Sequence, residues 1–315
     1  MDYVYKQLQK FGKIKTGAGL AKFSSFHIGG PADYFLIVKN KEDLVGALKF
    51  ISAEGLDYFI LGGGSNVLFS DDGFRGVVIQ NKCSSLKLEN NIITVDGGVE
   101  LSKVVEAATG AGLAGFEWAA GIPGSVGGAV RGNAGARYAF AGGELKDCAQ
   151  KVGAWRDGHV TDLSNAACAF GYRDSIFKHE PAVVLDLEIE LKPGDKASIL
   201  TTTQKIIAER RGKQPPQSSA GSFFKNIFLE AWKRDKAELP PRFLEYKKIA
   251  AGWLIEQAGL KGYRVGGAMV SQSHANFIIN LGQATQADVL AVRDYVMEKV
   301  YEKFGISLEE EVMIV

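Results

Sequence analysis

The spacing of apolar positions changes period several times along the chain, and the changes predict its elements. Residues 34–38 form a β-rich run. Asn40 can cap a helix opening at Lys41, with Asp43 in the first turn, Leu44, Leu48 and Ile51 on one face, and Gly55 closing it. A second apolar strand, 57–61, runs directly into GGGSN at residues 62–66. A DDG turn at 71–73 and a strand at 77–79 follow.

From Leu86 the texture shifts to short strands, 92–95 and 183–191, around a helix at 101–111 and a long glycine-rich segment. A turn at KPGD, 192–195, leads into a helix with Ile199, Ile206 and Ile207 as its apolar positions, which ends in ERRGK. QPPQSS at 214–219 reads as a linker, because Pro-Pro cannot continue a helix. Beyond it come GSFFKN, a charged stretch to Lys248, a helix over 249–258 closed by Gly259, and a strand at 276–279. The last helix carries a cap and box at Thr285 and Asp288. Its core stripe is Val289, Val292, Val296, Val300 and Phe304. These breaks predict an α+β protein of three domains, at 1–80, 81–213 and 214–315, with the final residues free to return to the first part.

Composition narrows the function. The 315 residues carry 37 basic and 36 acidic side chains, a net charge of +1. That balance argues against nucleic acid or a membrane surface as the partner. No apolar run approaches the ~18 residues that would span a bilayer, and the N-terminus lacks the apolar core of a secretory signal. Cys83, Cys148 and Cys168 are scattered and odd in number, as expected of buried thiols in a reducing cytoplasm. Four dispersed histidines show no metal-ligand spacing, so no metal is expected.

Residues 121–136, GIPGSVGGAVRGNAGA, are the most informative stretch. Six glycines and no acidic side chain suit a backbone nest for a phosphate or pyrophosphate. The plainer alternative is a flexible surface loop. Against it, Ile122, Val126, Ala129 and Val130 interleave the glycines and imply packing. The GGG after residue 61 is not a Rossmann fingerprint, since it leads into VLF, a turn and another strand rather than a helix. P-loop and G-x-S-x-G motifs are absent as well. Two glycine-rich loops in two α+β units remain, an arrangement suited to a dinucleotide gripped by backbone N–H groups without a helix-dipole motif. The binding candidates are Gly62, Gly63, Gly64, Ser65 and Asn66 in one loop. In the other they are Gly121, Ile122, Pro123, Gly124, Ser125, Gly127, Gly128 and Ala129.

Seven motifs in order, GGGSNVLFSDDGFRGVVI, GIPGSVGGA with NAGA, GYRDSIFK, SAGSFFKN, AGWLIEQAGLKG, GGAMVSQSHANFIIN and FGISLEEEV, span about 26–312. Together they resemble the UDP-N-acetylenolpyruvoylglucosamine reductases of bacterial cell-wall synthesis. The resemblance implies a vanillyl-alcohol-oxidase-type FAD-binding domain of two α+β subdomains and a C-terminal substrate-binding domain. It implies non-covalent FAD as cofactor, NADPH as co-substrate, and reduction of an enolpyruvyl ether to the lactyl ether of UDP-N-acetylmuramate. A cytoplasmic monomer acting on a UDP-sugar is the expectation.

Such a reduction pushes negative charge into the substrate carboxylate and then needs one proton at the α-carbon. By the resemblance, Arg173 in GYRDSIFK would sit by the carboxylate, Ser222 in AGSFFKN would donate the proton, and Glu311 in EEEV would polarise the carboxylate. Taken singly, each has a plainer reading: an Arg173–Asp174 ion pair, a turn serine, and a solvated acidic run. Convergence of the three requires the third domain to fold back, so an interdomain cleft is expected. Tyr172 could stack or hydrogen-bond beside Arg173. Lys225, Asn226, Lys261 and His274 are the candidates for the UDP end. The short stretch between Arg173 and Ser222 resembles the branch of the family without a substrate-capping loop. The chain departs from the family pattern at Arg131, Ile227 and Met313, and in a charged insert at 230–247. Two other readings are an oxygen-using relative in the same flavin fold and a nucleotide-binding protein without catalysis.

Overall fold

The computed structural model describes residues 2–315, and its chain forms two compact units. The first comprises residues up to Ala18, Ala32–Gly63 and Phe74–Gly212. The second comprises Gly19–Pro31, Gly64–Gly73 and Lys213–Val315.

The first unit contains two sheets. One has the strand order Lys13–Gly19, Pro31–Val38, Phe74–Asn81, Tyr58–Leu61. Its last three strands run parallel, with Tyr34 and Tyr58 both in register with Val77. Parallel neighbours need a crossover, and the helix Lys41–Ala53 supplies one. Asn40 caps that helix by accepting the Asp43 N–H at 2.8 Å, and Leu44, Ala47, Leu48 and Ile51 are buried. The other sheet is antiparallel, in the order His159–Ser164, Ala149–Arg156, Val183–Glu190, Ile92–Asp96, Leu86–Glu89. Val152, Leu187 and Val95 line up across three of its strands and enter a core with Phe116, Trp118, Val126 and Val130. Burial pushes the thiols up to about 12 at Cys83 and Cys148 and about 11 at Cys168, which disfavours the thiolate form.

The second unit wraps a three-stranded antiparallel sheet, Arg264–Val265, Ala268–Val270 and Ile278–Asn280, around the helix Gln286–Phe304. The Thr285/Asp288 capping box is complete, and Val289, Val292, Val296 and Val300 are buried. Each such valine contributes roughly 1.5–3 kcal/mol relative to exposure. The charged insert packs into the same core through Trp232, Leu239 and Phe243, all buried. Trp232 and Phe243 flank Trp253 at ring-centroid distances of 6.1 and 5.6 Å. The strand Met313–Ile314 pairs in parallel with Val67–Leu68.

Three expectations need correction. The glycine-rich segment is not helix-free: Val126–Arg131 is helical. Ser125 caps it by accepting the Gly128 N–H at 3.4 Å, and burial of Val126, Ala129 and Val130 offsets the poor helix propensity of glycine. The helix expected over 249–258 begins at Ala251, because β-branched Ile249 is held in a strand opposite Ile227. The strand expected over 276–279 is Ile278–Asn280, since Asn276 and Phe277 are committed to the loop contacts described below.

Candidate active site

The strand Tyr58–Leu61 delivers Gly62 and Gly63 against the glycine-rich segment. A Cβ on Gly62 would lie 2.1 Å from Ser125 Oγ, and one on Gly63 would lie 3.0 Å from Gly124 Cα. No side chain fits between the loops, so two backbones meet face to face. The segment is fixed from behind. Val126 and Gly127 donate to the carbonyls of Val99 and Gly97, both at 2.8 Å, and Leu101 donates to the Gly124 carbonyl at 3.0 Å. The N–H groups of Gly63 and Gly124 have no acceptor among the described residues. Adjacent glycine N–H donors without a Cβ to screen them fit the phosphates of a dinucleotide. Ile122 packs against the core, and Gly121 and Pro123 stay exposed at the mouth of the segment. Gly64, Ser65 and Asn66 belong to the second unit, where Asn66 Nδ2 donates to the Glu311 carbonyl at 3.0 Å.

Arg173 lies at the tip of a tight hairpin. Gly171 and Asp174 exchange backbone bonds at 3.0 and 3.3 Å, leaving Tyr172 and Arg173 as the two central residues. Arg173 has φ of 54°, a left-handed conformation that costs an L-residue roughly 1–2 kcal/mol. The surroundings enforce it. Nη2 donates to the Gly135 carbonyl at 2.8 Å, Lys178 Nζ donates to the Arg173 carbonyl at 2.6 Å, and Nε is fully buried. Tyr172 presents its ring 5.6 Å from the guanidinium carbon. Arg173 does not pair with Asp174, whose carboxylate takes both bonds from His179 Nε2 at 2.9 Å. Partial burial is the largest single influence and works against the Asp174 charge, but the His179 bond and charge, the Ser175 N–H and the Lys178 charge together outweigh it and hold the carboxyl below its ordinary range.

Two further residues, one in NAGA and one in GYRDSIFK, support this hairpin. Asn133, fully buried at φ of 38°, donates to the Gly171 carbonyl at 2.7 Å and accepts the Lys146 N–H at 3.0 Å. Ser175, also fully buried, donates to the Arg131 carbonyl at 2.8 Å. Arg131 ends the short helix with a guanidinium whose burial lowers its pKa, partly offset by Asp174.

Ser222 and Glu311 come together within the second unit. Glu311 donates its N–H to the Phe223 carbonyl at 2.8 Å, Lys225 donates to the Glu309 carbonyl at 2.8 Å, and Phe224 faces Glu310 as an antiparallel bridge. On the other side, Phe223 donates to the Asn276 carbonyl at 2.7 Å. The Asn276 side chain then accepts the Phe224 N–H at 3.0 Å and donates to the Phe224 carbonyl at 2.9 Å. Asn276 thus stands in for a neighbouring strand. Phe223 and Phe224 are buried, so the segment carrying Ser222 is pinned by two rings as well. The acidic run is not uniformly solvated: Lys225 pairs with Glu309, Arg293 with Glu310 at 3.2 Å, and Glu311 is half-buried.

The remaining candidates are also engaged. Asn226 Oδ1 accepts the Ala251 N–H at 3.1 Å, at the start of the helix Ala251–Gln257. Lys261 pairs with Glu256 at 2.6 Å. His274 Nδ1 accepts the Asn276 N–H at 3.3 Å, and its ring meets Phe277 edge-on. Burial holds the His274 imidazole below its ordinary pKa, and Lys261 and Lys213 add to the effect.

Residues 32–164 match the family described as FAD binding domain. With the paired glycine loops and the α+β architecture, this defines an FAD-dependent oxidoreductase. Residues 214–315 match UDP-N-acetylenolpyruvoylglucosamine reductase, C-terminal domain. The UDP-N-acetylenolpyruvoylglucosamine reductase of Caldanaerobacter subterraneus subsp. tengcongensis is 39% identical over 98% of this chain and 96% of its own. That of Caldicellulosiruptor bescii is 40% identical over 94% and 88%. A crystal structure of UDP-N-acetylenolpyruvylglucosamine reductase from Thermus caldophilus superposes with a TM-score of 0.75 at 35% identity, covering 96% of this chain and 98% of that one. The chain belongs to the UDP-N-acetylenolpyruvoylglucosamine reductase family.

Proposed function

We propose that this protein uses NADPH to reduce UDP-N-acetylenolpyruvoylglucosamine to UDP-N-acetylmuramate for peptidoglycan synthesis, as a cytoplasmic monomer. The observation carrying the proposal is the backbone lock between Phe223 and Glu311, which puts a serine and a carboxyl group on neighbouring segments of one small unit. FAD, when bound, would supply the hydride-transfer chemistry between NADPH and the enolpyruvyl β-carbon. Gly62–Asn66 and 121–129 would hold it.

Hydride addition at the β-carbon leaves carbanion character at the α-carbon, stabilised through the carboxylate. The Ser222 hydroxyl gives that carbon its proton, which a weak acid can do because the carbanion is so strong a base. Arg173 supplies a permanent positive charge for the carboxylate, fixed before reaction by its hairpin. Glu311 supplies a hydrogen bond to the same carboxylate in its protonated form. Lys225, Asn226, Lys261 and His274 serve the UDP end, with Tyr172 beside Arg173.

Stopped-flow measurement of the two half-reactions tests this. S222A keeps flavin reduction by NADPH at the wild-type rate and slows reoxidation by the enolpyruvyl substrate by a factor of about 10² or more. Equal slowing of both half-reactions rejects the proton-donor role. Hydrogen peroxide release in place of substrate reduction rejects the reductase reading itself.

A further inference from the structure

The glycine-rich segment has a fastening that none of the catalytic assignments uses. Arg210 lies in the last turn of the helix Lys196–Lys213. Its Nε donates to the carbonyl of Gly121 at 3.0 Å, and its Nη1 donates to the hydroxyl of Tyr138 at 3.3 Å. Gly121 is the first residue of the segment. Tyr138 directly follows the strand Gly135–Arg137 in which the segment ends. One guanidinium therefore grips the entry and the exit of the same stretch of chain.

The local geometry is shaped around this grip. Gly121 has φ of 70°, and a Cβ there would lie 3.1 Å from Arg210 Cδ and 3.4 Å from Nε, so a side chain would crowd the stem of the arginine. Tyr138 is itself fixed. Its N–H donates to the Ala141 carbonyl at 2.7 Å, and its ring stacks on Phe140 at 6.1 Å. A guanidinium is planar and presents its donors in a fixed fork. A lysine ammonium at the same place is a point donor on a flexible stem and holds one end or the other.

We propose that Arg210 is a positioning residue for FAD: it pre-shapes the glycine-rich segment so that its N–H groups stand ready for the diphosphate before the cofactor arrives. This rests on the segment being the FAD site. Pre-organisation of this kind lowers the ordering cost of binding, so its loss weakens affinity without removing any contact to the ligand.

The test is the release of FAD from holoenzyme after dilution, read by the rise in flavin fluorescence, with far-UV circular dichroism as the check on folding. R210M is expected to raise the FAD dissociation constant about tenfold or more, as charge-assisted bonds to two fixed acceptors are lost. R210K, which reaches one acceptor, falls between R210M and wild type. Y138F, which leaves the Gly121 bond, loses less than R210M and adds little on top of it. K205M, an exposed position on the same helix, leaves release unchanged. If R210M does not fold, R210K and Y138F decide the matter by the same ordering. Wild-type release rates in all the folded Arg210 and Tyr138 variants overturn the proposal. A wild-type protein that holds no flavin overturns instead the assignment of the segment.

Discussion

Replacing Asn276 by alanine should damage the segment carrying Ser222 more than any surface reading of an asparagine would suggest. Both backbone polar groups of Phe224 end on this one side chain, at 3.0 and 2.9 Å, and Phe224 and Asn276 are both buried. N276A orphans a buried N–H and a buried C=O together. Each costs about 1–3 kcal/mol when left unsatisfied. Water entering the vacated space recovers part of that, so a loss of about 2–4 kcal/mol is expected. With a urea slope of about 2 kcal/mol/M, the unfolding midpoint of the second unit should fall by about 1–2 M. Hydrogen exchange of the peptide spanning 220–226 should accelerate in step, and turnover should fall because Ser222 is no longer held in place. N276D should not rescue, since its carboxylate keeps the acceptor for the Phe224 N–H but opposes the Phe224 carbonyl. A midpoint shift below about 0.3 M with unchanged exchange would refute the reasoning.

The strain at Arg173 predicts that R173G is more stable than R173A by about 1 kcal/mol, measured by urea unfolding, although both lack the guanidinium and neither turns over. Equal stabilities would mean the hairpin relaxes once the side chain is gone. G63A places a Cβ 3.0 Å from the Gly124 backbone, and should cost about 1–3 kcal/mol and lower the flavin-to-protein absorbance ratio of the purified protein. His274 has a folded-state pKa held down by burial, so below its ordinary value of 6.5 the unfolded chain takes up a proton the folded chain refuses. Stability should therefore fall as pH drops through and below 6.5, and H274Q should flatten that part of the urea-midpoint profile. An unchanged slope in H274Q would assign the dependence to another group.

Elements governed by local chemistry were readable in the sequence. The helix Lys41–Ala53 needed only the Asn40 cap and its apolar face, and Gln286–Phe304 needed only its box and valine stripe. The helix Val126–Arg131 was not readable, because Gly127 and Gly128 argue against it and only tertiary burial of three neighbours reverses the balance. The site divided along the same line. The glycine loops, Arg173, Ser222 and Glu311 sit in recognisable motifs. Asn133 and Asn276 also lie in motifs, NAGA and GGAMVSQSHANFIIN, but nothing there marks their role, since a buried asparagine completing someone else's backbone bonds looks in sequence like an asparagine in a turn. The insert at 230–247 shows a related effect: its charges dominate the composition, whereas Trp232 and Phe243 decide its packing.

The second unit is assembled from three separate pieces of chain, and this constrains the order in which the protein can be made. Its core takes Phe26, Ile28 and Leu68 from the early pieces. Asn280 Nδ2 donates to the Phe26 carbonyl at 3.0 Å, Ser70 donates to the Val315 carbonyl at 2.7 Å, and Asp71 receives the Gln286 N–H at 2.8 Å. The first unit has all its strands once Gly212 has been synthesised. The second cannot close until residues 311–315 exist, and until then residues 19–31 and 64–73 must wait without their partners. Residues 214–315 produced as a separate fragment would lack three core side chains and the strand that Met313–Ile314 pairs with. That fragment should remain incompletely folded unless the two early segments are supplied, and a nascent chain stalled before residue 311 should expose Phe26 and Leu68 to proteases that spare the finished protein.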